Sequence, residues 1–271
     1  MIIDFHTHTF PDELAQRALS TLAQRAGVPT YTDATNDGLC ASMRRAGVDR
    51  AVVAPIATKP SQVRAINAWA AGVNARYPML CCLGTLHPLQ EDWQTEIARM
   101  VADGLPGIKL HPDYQDFFVD DPVMLPIYRA LAAAGKLVLV HAGVDIGLPP
   151  PVHCTPDRLA HVLEAVPELT LVAAHMGGYQ QWDAVERHLI GRDLYLDTSY
   201  SMADLGATYM TALIHAHGAN RILFATDSPW TDQQAEIAGI RALQLDAGEQ
   251  QAILGGNAER LLAGHLVRIP V

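Results

Sequence analysis

The chain has 271 residues, of which 49% are hydrophobic, and it is therefore long enough to bury either one large barrel core or two ordinary domains. Its formal net charge of −10 argues against a phosphate-binding surface, because the affinity of proteins for nucleic acids depends largely on Lys and Arg. We therefore expect no nucleic-acid partner.

The cysteines and the hydropathy of the chain indicate a soluble cytoplasmic protein. No Cys-x-x-Cys spacing occurs among Cys40, Cys81, Cys82 and Cys154, which favours buried thiols of a reducing compartment over disulfides or a zinc knuckle. The chain does not begin with a basic segment followed by an apolar stretch, and no apolar run reaches the roughly 18 residues of a membrane span. We expect no membrane partner.

The first predicted strand, Ile2–His8, contains the pentapeptide Asp-Phe-His-Thr-His. Residues two apart on a strand point to the same face, so His6 and His8 are expected to present two imidazoles side by side, with Asp4 on the same face below them. Two neutral imidazoles on one rigid strand are a natural start for a zinc-type site, which still needs two or more ligands from elsewhere.

Further short apolar runs predict strands along the rest of the chain, and amphipathic segments between them predict helices. The strands are expected near Arg50–Ile56, Met79–Leu86, Gly107–His111, Leu137–His141, Leu169–His175, Leu194–Ser199 and Arg221–Asp227. The expected helices include Ser61–Arg76, Asp92–Ala102, Pro122–Ala134, Thr155–Ala165, Trp182–Ile190 and Ala203–His217.

The order of these elements predicts an α/β fold, the (β/α)8 TIM barrel. Continuous apolar runs of this length suit strands that are buried on both faces of a parallel sheet. Eight strands that alternate with helices in a chain of 271 residues imply right-handed βαβ units closed into a barrel. No linker or low-complexity tract divides the chain, so we expect a single domain over residues 1–271. A doubly wound open sheet is the structural alternative.

Ligand-type side chains close five of the predicted strands. They are His6 and His8 on the first strand, Lys109 and His111 on the fourth, His141 on the fifth, His175 on the sixth and Asp227 on the eighth. In a (β/α)8 barrel, side chains at the carboxyl ends of different strands converge on one site. The sequence therefore predicts a single catalytic site built from these residues.

Several short motifs carry a resemblance that spans nearly the whole chain. They are the opening Asp-x-His-x-His, Gly107–Pro112, His141–Gly143, His175–Gly178, Thr226–Pro229 and Gly255–Ala258. Together they resemble the amidohydrolase superfamily, and in particular its small metal-dependent hydrolases and decarboxylases related to aminocarboxymuconate semialdehyde decarboxylase. The resemblance implies that His6, His8, His141 and Asp227 hold one divalent metal per chain, with zinc as the expected ion. It also implies that His175 is a catalytic group beside the metal-activated water.

The chemistry of the residues fits that assignment. Three neutral imidazoles leave a bound ion strongly Lewis acidic, and the pKa of its water then falls to about 7 from about 15.7. Asp227 is then both a ligand and an acceptor of the water's proton, and His175 can orient the water or polarise a substrate oxygen.

Lys109 is the residue whose role is least defined by the sequence. If it faces the barrel interior, burial lowers its pKa and makes it nucleophilic. In some relatives a lysine on the fourth strand is carboxylated and bridges two metals, so a second metal completed by His175 and His111 is an alternative. We expect instead a free catalytic amine that contacts Asp4 or the substrate.

The loops after the strands are rich in aromatic residues and carboxylates and poor in cations. Lys59 is the one cation that we place in these loops, and Lys59, His111, His153 and Trp230 are the predicted substrate-binding residues. Such a rim suits a small neutral, cyclic or aromatic substrate with at most one carboxylate.

The leading functional expectation is a metal-dependent hydrolase that uses a metal-activated water on a small amide, lactone or related C–N or C–O substrate. The alternative is a metal-dependent non-oxidative decarboxylase of a small aromatic or unsaturated carboxylic acid, in which His175 helps to protonate the carbon that loses CO2. The scarcity of arginine at the predicted rim favours hydrolysis. A nuclease, which the acidic rim disfavours, and a non-catalytic binding barrel are the remaining alternatives, and a homo-oligomer is compatible with the sequence.

Overall fold

The computed structural model describes residues 1–265 and contains short parallel strands that alternate with helices. The strands are β1 (Ile3–Thr7), β2 (Arg50–Val53), β3 (Leu80–Cys82), β4 (Gly84–Thr85), β5 (Gly107–Leu110), β6 (Leu137–Val140), β7 (Leu171–Ala173), β8 (Tyr195–Asp197) and β9 (Ile222–Leu223). Each predicted strand is present but shorter than the apolar run that predicts it. Residues 266–271 of the predicted domain lie outside the described residues.

The strands form a (β/α)8 barrel, as predicted. Hydrogen bonds connect β1, β2 and β3 in order, and β4 through β9 in order, with every pair parallel. β3 and β4 flank Leu83 and together make the third strand of the barrel. The first and last strands are joined because Phe5 N donates to Phe224 O at 2.9 Å and Asp227 N donates to His6 O at 2.8 Å.

Helices connect and cover the strands. They are α1 (Asp12–Ala26), α2 (Asn36–Ala46), α3 (Val63–Arg76), α4 (Trp93–Ala102), α5 (Pro112–Gln115), α6 (Leu125–Ala133), α7 (Pro156–Ala165), α8 (Trp182–His188), α9 (Met202–His217), α10 (Gln233–Ala242), α11 (Ala247–Gln251) and α12 (Asn257–His265). Side-chain oxygens cap α2 at Thr35 and α10 at Asp232, as expected for helix starts. Within residues 1–265, no helix combines the length and the apolar character that crossing a bilayer requires.

The alternation of side chains along the strands divides the core into two layers. On β6, Leu137 and Leu139 belong to the cluster inside the barrel, whereas Val138 and Val140 pack between the strands and the helices. This explains why the predicted strands read as continuous apolar runs, since both faces of each strand are buried. The same alternation continues past the strand end and turns His141 toward the interior.

A bulge in β1 alters which side chains share a face. Asp4 is opposite Ala51 in β2, but Thr7 is opposite Val53, so β1 advances three residues while β2 advances two. Phe5 lies in the interior cluster, and Asp4 points away from it to accept hydrogen bonds from Thr226 Oγ1 at 2.6 Å and Gln233 Nε2 at 2.8 Å. The expectation that Asp4 lies below His6 and His8 on one face is therefore wrong.

Gly107, the first residue of β5, lies in close contact with the neighbouring strand β6. A methyl group there would overlap the carbonyl oxygen of Leu137, whereas the exposed Gly72 in α3 has open space around the same position. We expect Gly107→Ala to lower the free energy of unfolding by about 1–3 kcal/mol. Gly72→Ala should raise it by about 0.5–1 kcal/mol, because alanine is the better helix former. Urea unfolding of both variants checks this, and equal effects would contradict the close approach at Gly107.

Candidate metal centre at the carboxyl end of the barrel

A cavity of about 650 Å³ opens at the carboxyl ends of the strands. Most of the predicted site residues line it: His6, His8, Lys109, His111, His141, His175, Asp227 and Trp230. Two do not. Lys59 is exposed outside the cavity, and His153 is hydrogen-bonded through Nδ1 to Asp113 at 2.9 Å and packs against Phe118. Neither residue is placed to contact a ligand in the cavity.

His6, His8 and Asp227 form one compact group of ligand-type atoms. The Oδ1 atom of Asp227 lies 3.1 Å from His8 Nε2 and 3.5 Å from His6 Nε2. Burial alone would raise the pKa of Asp227, but the two imidazoles lower it far below its usual value. Asp227 is therefore ionised and faces two imidazoles from β1.

The tautomer of His6 follows from its contact with Asp197. The two residues meet at 3.1 Å between His6 Nδ1 and Asp197 Oδ2. Burial lowers the pKa of His6 to about 3, so the ring is neutral. Burial would raise the pKa of Asp197, but His6 lowers it to about 2, so the carboxylate can only accept. Nδ1 of His6 therefore carries the proton, and Nε2 keeps its lone pair toward the cavity.

A second hydrogen-bond chain fixes the tautomers of His175 and His141. The backbone oxygen of Ser199 can only accept, so His175 Nδ1, 3.0 Å away, carries a proton. His175 Nε2 then accepts from His141 Nδ1, also at 3.0 Å. The remaining nitrogen of His141, Nε2, is buried and has no hydrogen-bond partner among residues 1–265. Burial keeps the pKa of this ring well below its usual value. A buried, unpartnered lone pair at a cavity wall is what a metal ligand supplies.

The four predicted ligands nevertheless divide between two neighbouring groups. His141 belongs with His111 and Asp145, not with the group around Asp227. Its ring stacks on that of His111 with centroids 4.0 Å apart, and His111 Nε2 lies 3.1 Å from Asp145 Oδ2. His175 bridges the two groups, since its ring centroid is 4.7 Å from that of His141 and 5.5 Å from that of His6. Neutral imidazoles with a carboxylate are a donor set that fits a divalent transition ion.

Lys109 lies on the cavity floor and contacts His6, not Asp4. Its Nζ is 2.8 Å from His6 Nε2, the atom whose lone pair faces the cavity. Burial lowers the pKa of Lys109 to about 8, against the opposing effect of the carboxylates of Asp227 and Asp197. The lysine amine and a metal ion would therefore compete for the same nitrogen.

Several residues of the site have a left-handed backbone. His175, Met176, Tyr200 and Asp227 have φ values of 58°, 53°, 51° and 64°. This region costs a residue with a Cβ roughly 1–2 kcal/mol, and such strain is typical of functional sites. At His175 the surroundings hold the conformation, because its N–H donates to Asp197 Oδ1 at 3.0 Å and its carbonyl accepts from Trp182 Nε1 at 3.1 Å.

Some residues of the site are absent from the sequence predictions. Asp197 and Ser199 lie at the carboxyl end of β8, a position that predicts site residues as it does for the other strands. Arg25, in the unpredicted helix α1, stands with its Cζ 6.0 Å from the ring of Tyr114, which lines the cavity. Arg25 is thus a cation beside the cavity wall, whereas Lys59 is exposed outside the cavity.

Comparisons with known proteins agree with this architecture. A family model described as "Amidohydrolase" matches residues 3–263, and no curated protein matches the chain. Three solved structures share the fold over 97% of this chain. An uncharacterised TIM-barrel protein from Bordetella bronchiseptica has 22% identity, a TM-score of 0.75 and 99% of its own chain covered. A 5-carboxyvanillate decarboxylase from Novosphingobium aromaticivorans, complexed with manganese and 4-hydroxy-3-methoxy-5-nitrobenzoic acid, has 17% identity, a TM-score of 0.73 and 96% of its own chain covered. A 2,6-dihydroxybenzoate decarboxylase from Rhizobium has 16% identity, a TM-score of 0.72 and 98% of its own chain covered.

Removal of both β1 imidazoles should abolish metal binding. We expect the wild-type chain, loaded with zinc and desalted, to retain metal, and the His6→Ala/His8→Ala double variant to lose it. His153→Ala, outside the cavity, is the matched control and should retain wild-type metal content. Elemental analysis measures the metal, and circular dichroism verifies folding. Wild-type stoichiometry in a folded double variant would mean that these histidines are not ligands.

A substitution at Lys109 distinguishes a free amine from a carboxylated bridge between two ions. We expect one metal per wild-type chain. Lys109→Met should bind that metal as tightly or up to about tenfold more tightly, because it removes the hydrogen bond to His6 Nε2. Metal titrations of both proteins give the stoichiometry and Kd. Two ions in the wild type and a loss of metal in the variant would establish the bridged site.

Proposed function

Because this chain belongs to the amidohydrolase family, we propose that it is a metal-dependent decarboxylase that releases CO2 from a small aromatic or unsaturated carboxylic acid. The names of two proteins that share its fold, the 5-carboxyvanillate and 2,6-dihydroxybenzoate decarboxylases, support this proposal over hydrolysis. The substrate is a small molecule, and the reaction needs no oxidant.

The observation that carries the proposal is the contrast between the floor and the walls of the cavity. The floor presents imidazoles, the amine of Lys109 and the carboxylate of Asp227, whereas the walls include Trp230, Ile66 and Ile146. A carboxylate that enters such surroundings loses much of its hydration. Cleavage of the C–C bond turns the carboxylate into neutral CO2, so apolar walls disfavour the starting ion more than the transition state.

The residues suited to hold the ion are His6, His8, His141 and Asp227. A divalent ion held there would supply a Lewis acid that stabilises negative charge as it develops on the substrate. We propose zinc, because imidazole nitrogens suit zinc, whereas manganese, present in the Novosphingobium structure, is better matched by oxygen ligands. The identity of the ion is open to direct measurement.

His175 is the proposed proton donor. In the reaction the bond between the substrate carbon and the carboxylate breaks, its electron pair stays on the carbon, and a proton adds there as CO2 leaves. His175 Nδ1 is held by the carbonyl of Ser199, so Nε2 is the ring atom that would transfer the proton. In the neutral ring Nε2 accepts from His141 Nδ1, so it must first release that contact and take up a proton from solvent. Solvent then reprotonates the ring.

Other cavity residues position the substrate. The buried amine of Lys109 can bind an oxygen of the carboxylate or of a ring hydroxyl, as a point charge on the cavity floor. His111, fixed by Asp145, and Trp230 border the same space and are proposed contacts for the body of the substrate.

Hydrolysis, the first expectation from the sequence, has weaker support. The sequence favoured hydrolysis because arginine is scarce at the predicted rim. Lys109 lines the cavity and Arg25 lies over the ring of Tyr114 in its wall, so a carboxylate would meet positive charge. A hydrolase also needs water at the bond to be broken, and the apolar walls disfavour it.

Product analysis tests the reaction class. We expect the zinc- or manganese-loaded enzyme to release CO2 from hydroxylated aromatic acids such as 2,6-dihydroxybenzoate, and to leave amides and lactones intact. Carbon dioxide capture and chromatography of the products provide the measurement. Turnover of a lactone or amide without CO2 would establish hydrolysis.

The role of His175 is tested separately. His175→Asn should lower the rate of CO2 release by roughly 10²-fold or more, the usual contribution of a positioned acid–base group, with metal content retained. His161→Asn, at an exposed position in α7, is the control and should match wild type. Loss of metal in His175→Asn, with full activity after metal is restored, would make His175 a ligand of a second ion.

A further inference from the structure

The part of the cavity away from its polar floor lies along two helices. Leu14, Leu22 and Ala26 of α1 line it, together with Ile66 and Trp69 of α3. We refer to the space bordered by these five residues as the apolar chamber. It is continuous with the floor, since one cavity of about 650 Å³ contains both.

Helix α1 is poorly buried. Only Ala15 of its 15 residues is buried, and Leu14 is 38% exposed. The apolar face of an amphipathic helix normally packs against a core. Leu14, Leu22 and Ala26 lie at intervals of eight and four residues, within about 120° of one another around the helix axis. They border the cavity, and among the described residues none of the three packs against either hydrophobic cluster of the core.

Helix α3 presents apolar side chains to the same space. Val63, Ala70 and Val73 are buried in the core on one side of the helix. Ile66 and Trp69 are only half-buried and line the chamber. An isoleucine and a tryptophan at such positions gain contact area when an apolar ligand lies against them.

We propose that the substrate carries, besides its carboxylate, an elongated apolar tail that lies in the apolar chamber between α1 and α3; this rests on the proposed decarboxylation at the cavity floor. The wall from Leu14 to Ala26 is roughly 18 Å long at the rise of an α-helix, which exceeds the length of an unsubstituted aromatic ring. Glu13 also lines the cavity and disfavours a tail that ends in a second carboxylate. The expected class is therefore an aromatic acid with an alkyl or alkenyl substituent.

A series of 4-n-alkylbenzoates with tails of increasing length tests the chamber. Each added methylene should lower the Kd by up to about fourfold, until the tail reaches the end of the chamber. Calorimetry with the metal-loaded full-length chain measures Kd whether or not the probes react. A Kd that does not change with tail length, or no binding by any member, would overturn the proposal.

Two variants of α1 make the test specific. Leu22→Gln, in the chamber wall, should remove most of the gain with tail length. Leu19→Gln, at another half-buried position of the same helix that does not line the cavity, should keep it. Equal losses in both variants would overturn the proposal. Hydrogen exchange of α1 provides an independent readout, because a long-tailed probe should protect this helix and benzoate should not.

The outcomes separate the chamber from the reaction. If short aromatic acids release CO2 but a longer tail does not lower the Kd, the chamber is refuted and the decarboxylation proposal is supported. If a longer tail lowers the Kd but no acid releases CO2, the chamber is supported as a ligand site and decarboxylation is refuted.

Discussion

The carboxylate of Asp197 is the group on which the geometry of the site depends. It is fully buried at the end of β8 and accepts from His6 Nδ1, from the backbone N–H of His175 and from the hydroxyl of Ser199. A buried charge is tolerated only when its hydrogen bonds are satisfied. Displacement of any one of these donors would leave the Asp197 carboxylate with an unsatisfied hydrogen bond, so each donor is held in place. One side chain thereby fixes the tautomer of His6 and the turn that presents His175. The lone pair of His6 Nε2 faces the cavity as a consequence.

Much of the fold follows from the sequence because parallel strands in a barrel are buried on both faces. The apolar run Gly107–His111, for example, predicts β5, which ends one residue earlier, at Leu110. All strands of such a barrel end on the same side. The positions of His6, His8 and Asp227 at strand ends therefore predict that these residues lie close together. The sequence left open whether Lys109 faces the barrel interior, and the structure shows that it lines the cavity.

Other features depend on contacts that leave no simple pattern in the sequence. The bulge in β1 inserts one residue relative to β2, which turned Asp4 to the opposite face from the expected one. Helix α1 was not predicted, and its apolar residues border a cavity instead of a core. The stacking of His141 on His111 and the pairing of His153 with Asp113 join residues from separate loops. Asp197, in contrast, is the last residue of β8, so its position at a strand end predicts a place in the site.

The left-handed residues of the site limit how the protein can change while it keeps its geometry. His175 and Met176 are adjacent, and Asp227 follows the last strand, so at least three strained positions contribute to one centre. Their combined cost of a few kcal/mol is a substantial part of the roughly 5–15 kcal/mol by which a domain is usually stable. Glycine at these positions would relieve the strain but remove the side chains that define the site. Thermal stability and the geometry of the site therefore place conflicting requirements on these positions. Variants selected for thermal stability should accumulate substitutions away from these turns.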